Sequence, residues 1–263
     1  MDIVIVFHSK DQKVLPYCLK GLNKIKEKRN VYLVCNEPVE YEGATYISES
    51  LYPFSKKDID SYILEKYHWR SGWYFQQLLK LYAHRVIPNL SDTFLIVDSD
   101  TVFLNEVSFI DTDGIPFYAT GIEYNKQYFD HMAKVLPGLV KQFPDKSGIA
   151  HHTVFQKEFL DKLFENVEDT HKVPFWKAMM QFVEPETAYM SGMSEHEIYF
   201  TYMFQYNRTK VRLRTLVWQN LNEVDGYFTS RFKSIQDIID YCGNYLHFVS
   251  LHAYLLNDLN LRV

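Results

Sequence analysis

The chain of 263 residues contains no G-x-G-x-x-G and no G-x-x-x-x-G-K-[ST]. Both patterns mark glycine loops that cradle phosphates at a strand–helix junction, so dinucleotide-fold and P-loop readings fall away. A basic excess is missing too: 28 Lys and Arg stand against 33 Asp and Glu, a net charge of −5. Nucleic-acid binders neutralise phosphates with surplus cations, so nucleic acid is not the expected partner. Cysteine is scarce, with Cys18, Cys35 and Cys242 at no metal-ligand spacing. Buried thiols in a reducing compartment are the expectation, rather than a disulfide or zinc framework. No apolar run approaches the length of a membrane span, and Ile3 to Phe7 is too short for a signal-peptide core. Asn89 and Asn207 head Asn-X-Ser/Thr triplets that then read as chance matches, and the expected protein is soluble and cytoplasmic. No repeat, low-complexity tract or Pro/Gly linker interrupts the chain, whose length suits one domain over 1–263.

A 47% hydrophobic share supplies a sizeable core, and 20 Tyr, 19 Phe and 4 Trp make it aromatic. Most such rings are core; stacking on sugars is the alternative use. Ile3 to Phe7 is a short, continuous apolar run, the pattern of a buried parallel strand. Val14, Leu15, Cys18, Leu19, Leu22 and Ile25 then share one helical face behind Asp11 as a plausible N-cap, and Val31 to Cys35 is a second strand. Strand, helix, strand is an α/β opening. Helices are expected over 57–67 and 70–87, the second with a stripe of Phe75, Leu78, Leu79, Tyr82 and Val86 opposite Gln76, Gln77, Lys80 and Arg85. After Pro88-Asn89 comes a strand over 93–97. Beyond it the pattern gives strands over 117–120, 151–155 and 211–218, and helices over 126–142, 157–166, 195–206 and 235–241.

Chemistry concentrates at strand ends. The first strand runs into Phe7, His8, Ser9 and Lys10, and in open α/β sheets ligands bind beyond the carboxyl ends of strands. Phe94-Leu95-Ile96-Val97 runs straight into Asp98-Ser99-Asp100, so two carboxylates leave the core together. Their mutual repulsion is relieved by a cation, and oxygen ligands suit Mg²⁺ or Mn²⁺ shared with substrate phosphates. Asp111-Thr112-Asp113-Gly114 follows no apolar run and reads as a turn. Ser194-Glu195-His196-Glu197 has capping-box spacing, which would occupy Glu197 and leave Glu195 free. A zinc-protease reading of His196-Glu197 fails because the second His would fall at Phe200. Of the adjacent pair His151-His152, strand geometry lets one face a cleft. His68, His84 and His171 have no constellation around them and read as structural.

The ordered series Arg70-Ser71-Gly72-Trp73, Asp98-Ser99-Asp100, His151 to Phe155, Ser194 to Tyr199 and His247-Phe248 resembles the GT-A glycosyltransferases, in particular a little-characterised branch of bacteria and large viruses. Only the Asp-X-Asp element is specific as a motif. The resemblance implies a GT-A (Rossmann-like) fold with a mixed central sheet flanked by helices. Residues 1–100 would form the nucleotide-sugar half and 101–263 the acceptor half. It further implies a nucleoside diphosphate sugar donor, bound by Phe7, His8, Ser9, Arg70, Asp98 and Ser99, and a glycan or other hydroxyl acceptor near His151 and His152. Mn²⁺ or Mg²⁺ would sit on Asp98, Asp100 and a C-terminal histidine, His247 in preference to His252. The transfer is expected to be inverting, with Glu195, or else Glu197, as base; a retaining enzyme would need neither. A nucleotidyltransferase and a non-catalytic sugar-binding protein are the alternatives.

Overall fold

The computed structural model describes residues 1–224 and 232–257. Its centre is a five-stranded mixed sheet in the order β3-β2-β1-β4-β7. The strands are β1 (Asp2–Val6), β2 (Val31–Cys35), β3 (Ala44–Ser48), β4 (Thr93–Asp98) and β7 (His152–Gln156). β1 to β4 are parallel, and β7 closes the edge antiparallel to β4. Every residue of β1 is buried, as expected of a central strand covered on both faces. β1 pairs with β2 on one side, in register Val6 to Val34, and with β4 on the other, in register Val6 to Asp98. The chain therefore winds outward through β2 and β3, then returns across β1 to start β4. That reversal opens a crevice at the carboxyl ends of β1 and β4, where ligands bind in sheets of this kind.

Helices flank the sheet. α1 (Leu15–Gly21), α2 (Lys56–Asp60) and α3 (Ser71–Val86) precede β4, and α3 packs on β1. α4 (Lys126–Val135), α5 (Lys157–His171), α6 (Phe175–Gln181) and α7 (Glu195–Tyr206) follow, with α7 packed against α3, α4 and α5. Two small sheets complete the second half: β5 (Thr101–Phe103), β10 (Phe248–Ser250) and β9 (Trp218–Asn220) in one, β6 (Phe117–Ala119) and β8 (Arg212–Arg214) in the other. Around the first gathers a separate apolar cluster, including Val102, Val249 and Leu251, with Ile235 and Ile238 of α8 (Ile235–Cys242). The short α9 (Ala253–Asn257) ends the described chain. Among the described residues no helix is long and apolar enough to cross a membrane, and all three cysteines are buried and free.

Local chemistry moved several boundaries. The helix expected over 126–142 stops at Val135, where Pro137 cannot continue it and Gly138 turns the chain at φ 92°. Residues 57–67 divide into the short α2, closed by a Ser55/Asp58 capping box, and a separate 3₁₀ stretch over Glu65–Arg70. The strand expected over 211–218 is two three-residue strands serving different sheets. Asp11 does not cap α1. It lies in a preceding 3₁₀ turn, and Val14 occupies the N-cap without a side-chain bond. β3, β5, β10, α6 and α9 are additional to the sequence expectations.

Candidate functional site

The crevice opens into a cleft of about 990 Å³. This lies at the upper end of the usual size range for small-molecule sites. Asp98 ends β4, Asp100 lies just beyond it, and both face the cleft. His151 approaches from the neighbouring edge, just before β7, with Nδ1 3.5 Å from Asp98 Oδ2. One ligand atom from each of Asp98, Asp100 and His151 lies within 4.8 Å of the others. His252 comes in beside them: its Nδ1 is 2.8 Å from Asp100 Oδ2, and its Nε2 is 3.1 Å from Asn220 Oδ1. Burial by itself pushes the His252 imidazole down. The hydrogen bond and charge of Asp100, with Asp98 and Asp11 behind it, outweigh burial and hold it above its ordinary value.

The loop between the acids is locked from below. Ser99 Oγ donates to Asp11 Oδ2 at 2.7 Å in a buried contact. Asp11 Oδ1 is buried with no partner, and burial pushes this carboxyl above its usual range despite the Ser99 bond.

The cleft wall across from the loop is α3. Lys80 reaches from it with Nζ 2.6 Å from Asp98 Oδ1 and 2.7 Å from Glu195 Oε1, at 3% exposure. Burial alone would push this ammonium down, but Asp98 and Glu195 more than reverse that and hold it protonated. The reciprocal effect acts on the acids. Burial raises both, while Lys80 first, then the neighbouring histidines, bring Asp98 and Glu195 below the usual carboxylate range. Behind Glu195, His196 Nε2 lies 3.3 Å away and His196 Nδ1 meets the Thr153 hydroxyl. Gln77 Oε1 accepts the Glu195 N–H at 3.0 Å, and its Nε2 is buried without a partner.

The other expected residues divide sharply. Arg70 lines the cleft, with its guanidinium 4.2 Å from the centre of the Trp73 ring and its Nε unpaired. Phe7, His8 and Ser9 line an adjoining recess of about 750 Å³ that shares Val6, Lys10, Arg70, Trp73 and Gln76 with the cleft. His247 is not brought to the acids. Its Nδ1 accepts the Val217 N–H at 3.1 Å and its backbone feeds β-ladder bonds to Val217 and Leu104, so His252 replaces it beside Asp100. His152 points into the core, its ring against Phe103, Phe109 and Phe248, and both nitrogens lack partners. Adjacent positions on opposite strand faces explain the split: His151 took the cleft side. Glu197 is also withdrawn. Ser194 Oγ accepts its N–H as expected of an N-cap, but its carboxylate accepts the Gly148 N–H at 2.7 Å and the Thr201 hydroxyl at 2.9 Å instead of closing the box. Asp111 forms the expected turn, its Oδ1 accepting the N–H groups of Asp113 and Ile115. His68, His84 and His171 bond to backbone carbonyls away from the cleft.

Lys80 and Asp11 were missed as site residues for recognisable reasons. Lys80 sits on the polar side of a helix, a pattern that normally means solvent. Its signal lies in spacing: Arg70, Trp73, Gln77 and Lys80 recur at three and four residues, and all four line the cleft. Asp11 carried the sequence signature of a cap and no other signal.

The chain belongs to a family of unknown function (DUF6492), whose model matches residues 27–223. Asp11 and His252 lie outside the matched range. No curated protein matches the sequence. Among solved structures the chain is similar to the crystal structure of mouse xyloside xylosyltransferase 1 in its apo form, at 10% sequence identity and a TM-score of 0.47, covering 97% of this chain and 99% of that one.

Proposed function

We propose that the cleft is the active site of a GT-A-type, metal-dependent glycosyltransferase that moves a sugar from a nucleoside diphosphate sugar to an acceptor hydroxyl. The observation that carries this reading is the convergence of Asp98, Asp100 and His151 within 4.8 Å at the carboxyl ends of β1 and β4. The donor chemistry fits a divalent cation. Two carboxylates with His151 and His252 suit Mn²⁺ better than Mg²⁺, which prefers an all-oxygen sphere. When bound, the cation would neutralise charge on the departing diphosphate.

The chain's own groups would do the rest. The Lys80 ammonium, fixed between Asp98 and Glu195, supplies a preorganised positive charge at the cleft wall. Arg70, with a free Nε, and Lys10 also line the cleft and are placed to meet the phosphates. Asp11 holds Ser99, and through it fixes the aim of Asp98 and Asp100. In the transfer, the bond from the anomeric carbon to the diphosphate oxygen breaks and the diphosphate keeps the electron pair. The acceptor oxygen bonds to that carbon and its proton passes to the departing diphosphate, giving retention. Glu195 as general base, with inversion, is the second reading, favoured by its position on the cleft wall. Against it stands the Lys80 contact, which lowers its basicity.

Donor hydrolysis without acceptor tests the reading. It should require Mn²⁺ and vanish in Asp100→Ala, and the anomeric configuration of a transfer product separates the two proton routes. Hydrolysis indifferent to both metal and Asp100 contradicts it.

A further inference from the structure

The two walls of the cleft differ in charge. Among the described residues its Lys and Arg side chains, Lys10, Arg70 and Lys80, all come from the chain before β4. The lining supplied by residues 120–123, 215–218, 220, 223, 252 and 254 presents no Lys or Arg among the described residues and carries two exposed carboxylates, Glu123 and Glu223, the latter with Oε2 accepting the Asn220 N–H at 2.8 Å. On the same wall stand three large apolar side chains with little cover: Ile122 at 92% exposure, Tyr254 at 67% and Val217 at 54%. Exposed apolar side chains gathered in the lining of a cleft are the kind of surface a ligand covers.

The combination narrows the ligand. A lipid tail would ask for an unbroken apolar wall, yet Glu123, Glu223 and the Thr120 hydroxyl interrupt this one. A phosphorylated or uronic-acid acceptor would meet two carboxylates and, among the described residues, no Lys or Arg here, with the His252 imidazole already paired with Asp100, which is repulsive. A sugar ring offers an apolar C–H face to Ile122, Val217 and the Tyr254 ring, and hydroxyl donors to Glu123 and Glu223.

Resting on the transferase reading above, we propose that this wall binds the acceptor and selects a neutral saccharide. Its hydroxyl oxygen takes the anomeric carbon, the carbon–diphosphate bond breaks, and the hydroxyl proton leaves with the diphosphate.

The experiment is sugar transfer by the full chain with Mn²⁺ and a panel of nucleoside diphosphate sugars, offered neutral, uronic-acid-bearing or phosphate-bearing oligosaccharides. Donor hydrolysis without acceptor reports separately on the transferase reading: its absence for every donor overturns both claims, whereas hydrolysis without transfer to neutral saccharides overturns this one alone. The neutral class should be preferred by at least about tenfold. Ile122→Ser should raise the acceptor KM about tenfold and not the donor KM, the size expected for one uncovered aliphatic side chain. Glu123→Lys should shift preference toward the anionic saccharides. Equal or better transfer to anionic saccharides by the wild type, or an unchanged acceptor KM in Ile122→Ser, overturns the proposal.

Discussion

Replacing Lys80 with Met keeps the length and volume of the side chain while removing its charge, and the structure sets the consequence. At 3% exposure, Nζ lies 2.6 Å from Asp98 Oδ1 and 2.7 Å from Glu195 Oε1, so its removal strands the buried Glu195 carboxylate and the half-buried Asp98 carboxylate. Breaking a buried ion pair on one side costs about 3–5 kcal/mol, or on the order of 10 °C in melting temperature for a chain this long. The sign of the pH dependence follows. In the wild type both acids titrate below their unfolded values, so their contribution is present above the unfolded carboxylate range and lost as pH falls. In Lys80→Met the largest opposing charge is gone and only the neighbouring histidines offset burial, so both acids take up protons at higher pH than in the wild type. The deficit should therefore shrink as pH drops from 7 toward 5. Mn²⁺ should restore more stability to the variant than to the wild type, because it replaces a missing positive charge at Asp98. Melts at pH 7 and pH 5, with and without Mn²⁺, read all three effects. A loss under about 1 kcal/mol at pH 7, the range of an exposed pair, would refute the reasoning.

His131 is buried with Nε2 bonded to Met179 O, and burial first, with Lys134 adding, pushes its imidazole down to about 4. The unfolded chain then binds the extra proton between about pH 6.5 and 4, so stability should fall by up to roughly 3 kcal/mol as pH drops through that window. Denaturant titrations should show that fall in the wild type and not in His131→Gln, whatever constant offset separates the two above pH 7. His252→Ala should weaken Mn²⁺ binding at least about tenfold, while His247→Ala changes it less than about twofold, as read by the free-ion paramagnetic resonance signal. A Cβ on Gly148 would lie 2.2 Å from Phe200 Cβ and 2.4 Å from Cγ. Gly148→Ala should therefore cost about 1–3 kcal/mol by overpacking, seen as a lower denaturation midpoint.

Much of the fold was legible because parallel strands buried on both faces leave continuous apolar runs, as in Ile3 to Phe7 and Phe94 to Val97. β3 was missed because its exposed and half-buried residues break that pattern, and α6 because seven residues carry too little period. At the site, a strand delivering two carboxylates was readable from residue type alone. The histidines were not: whether His151 or His152, and His247 or His252, meets the acids depends on strand facing and on how β10 docks against β5, which are tertiary facts. The same holds for Glu195 and Glu197. Helical spacing separated them, but only the Gly148 and Thr201 contacts reveal that Glu197 is committed to structure, and only Lys80 reveals that Glu195 is held as an anion.

The central claim is that Asp98, Asp100 and the adjacent histidines bind a nucleoside diphosphate through a divalent cation. A thermal-shift titration of nucleoside diphosphates with and without Mn²⁺ tests it most directly. A ligand at a hundred times its Kd stabilises by about 2.7 kcal/mol, or roughly 5–10 °C here. The account predicts such a shift for at least one nucleoside diphosphate with Mn²⁺, a much smaller one without it, and none in Asp100→Ala. A melt that no nucleoside diphosphate moves in the presence of Mn²⁺, or a shift that survives Asp100→Ala intact, would contradict it.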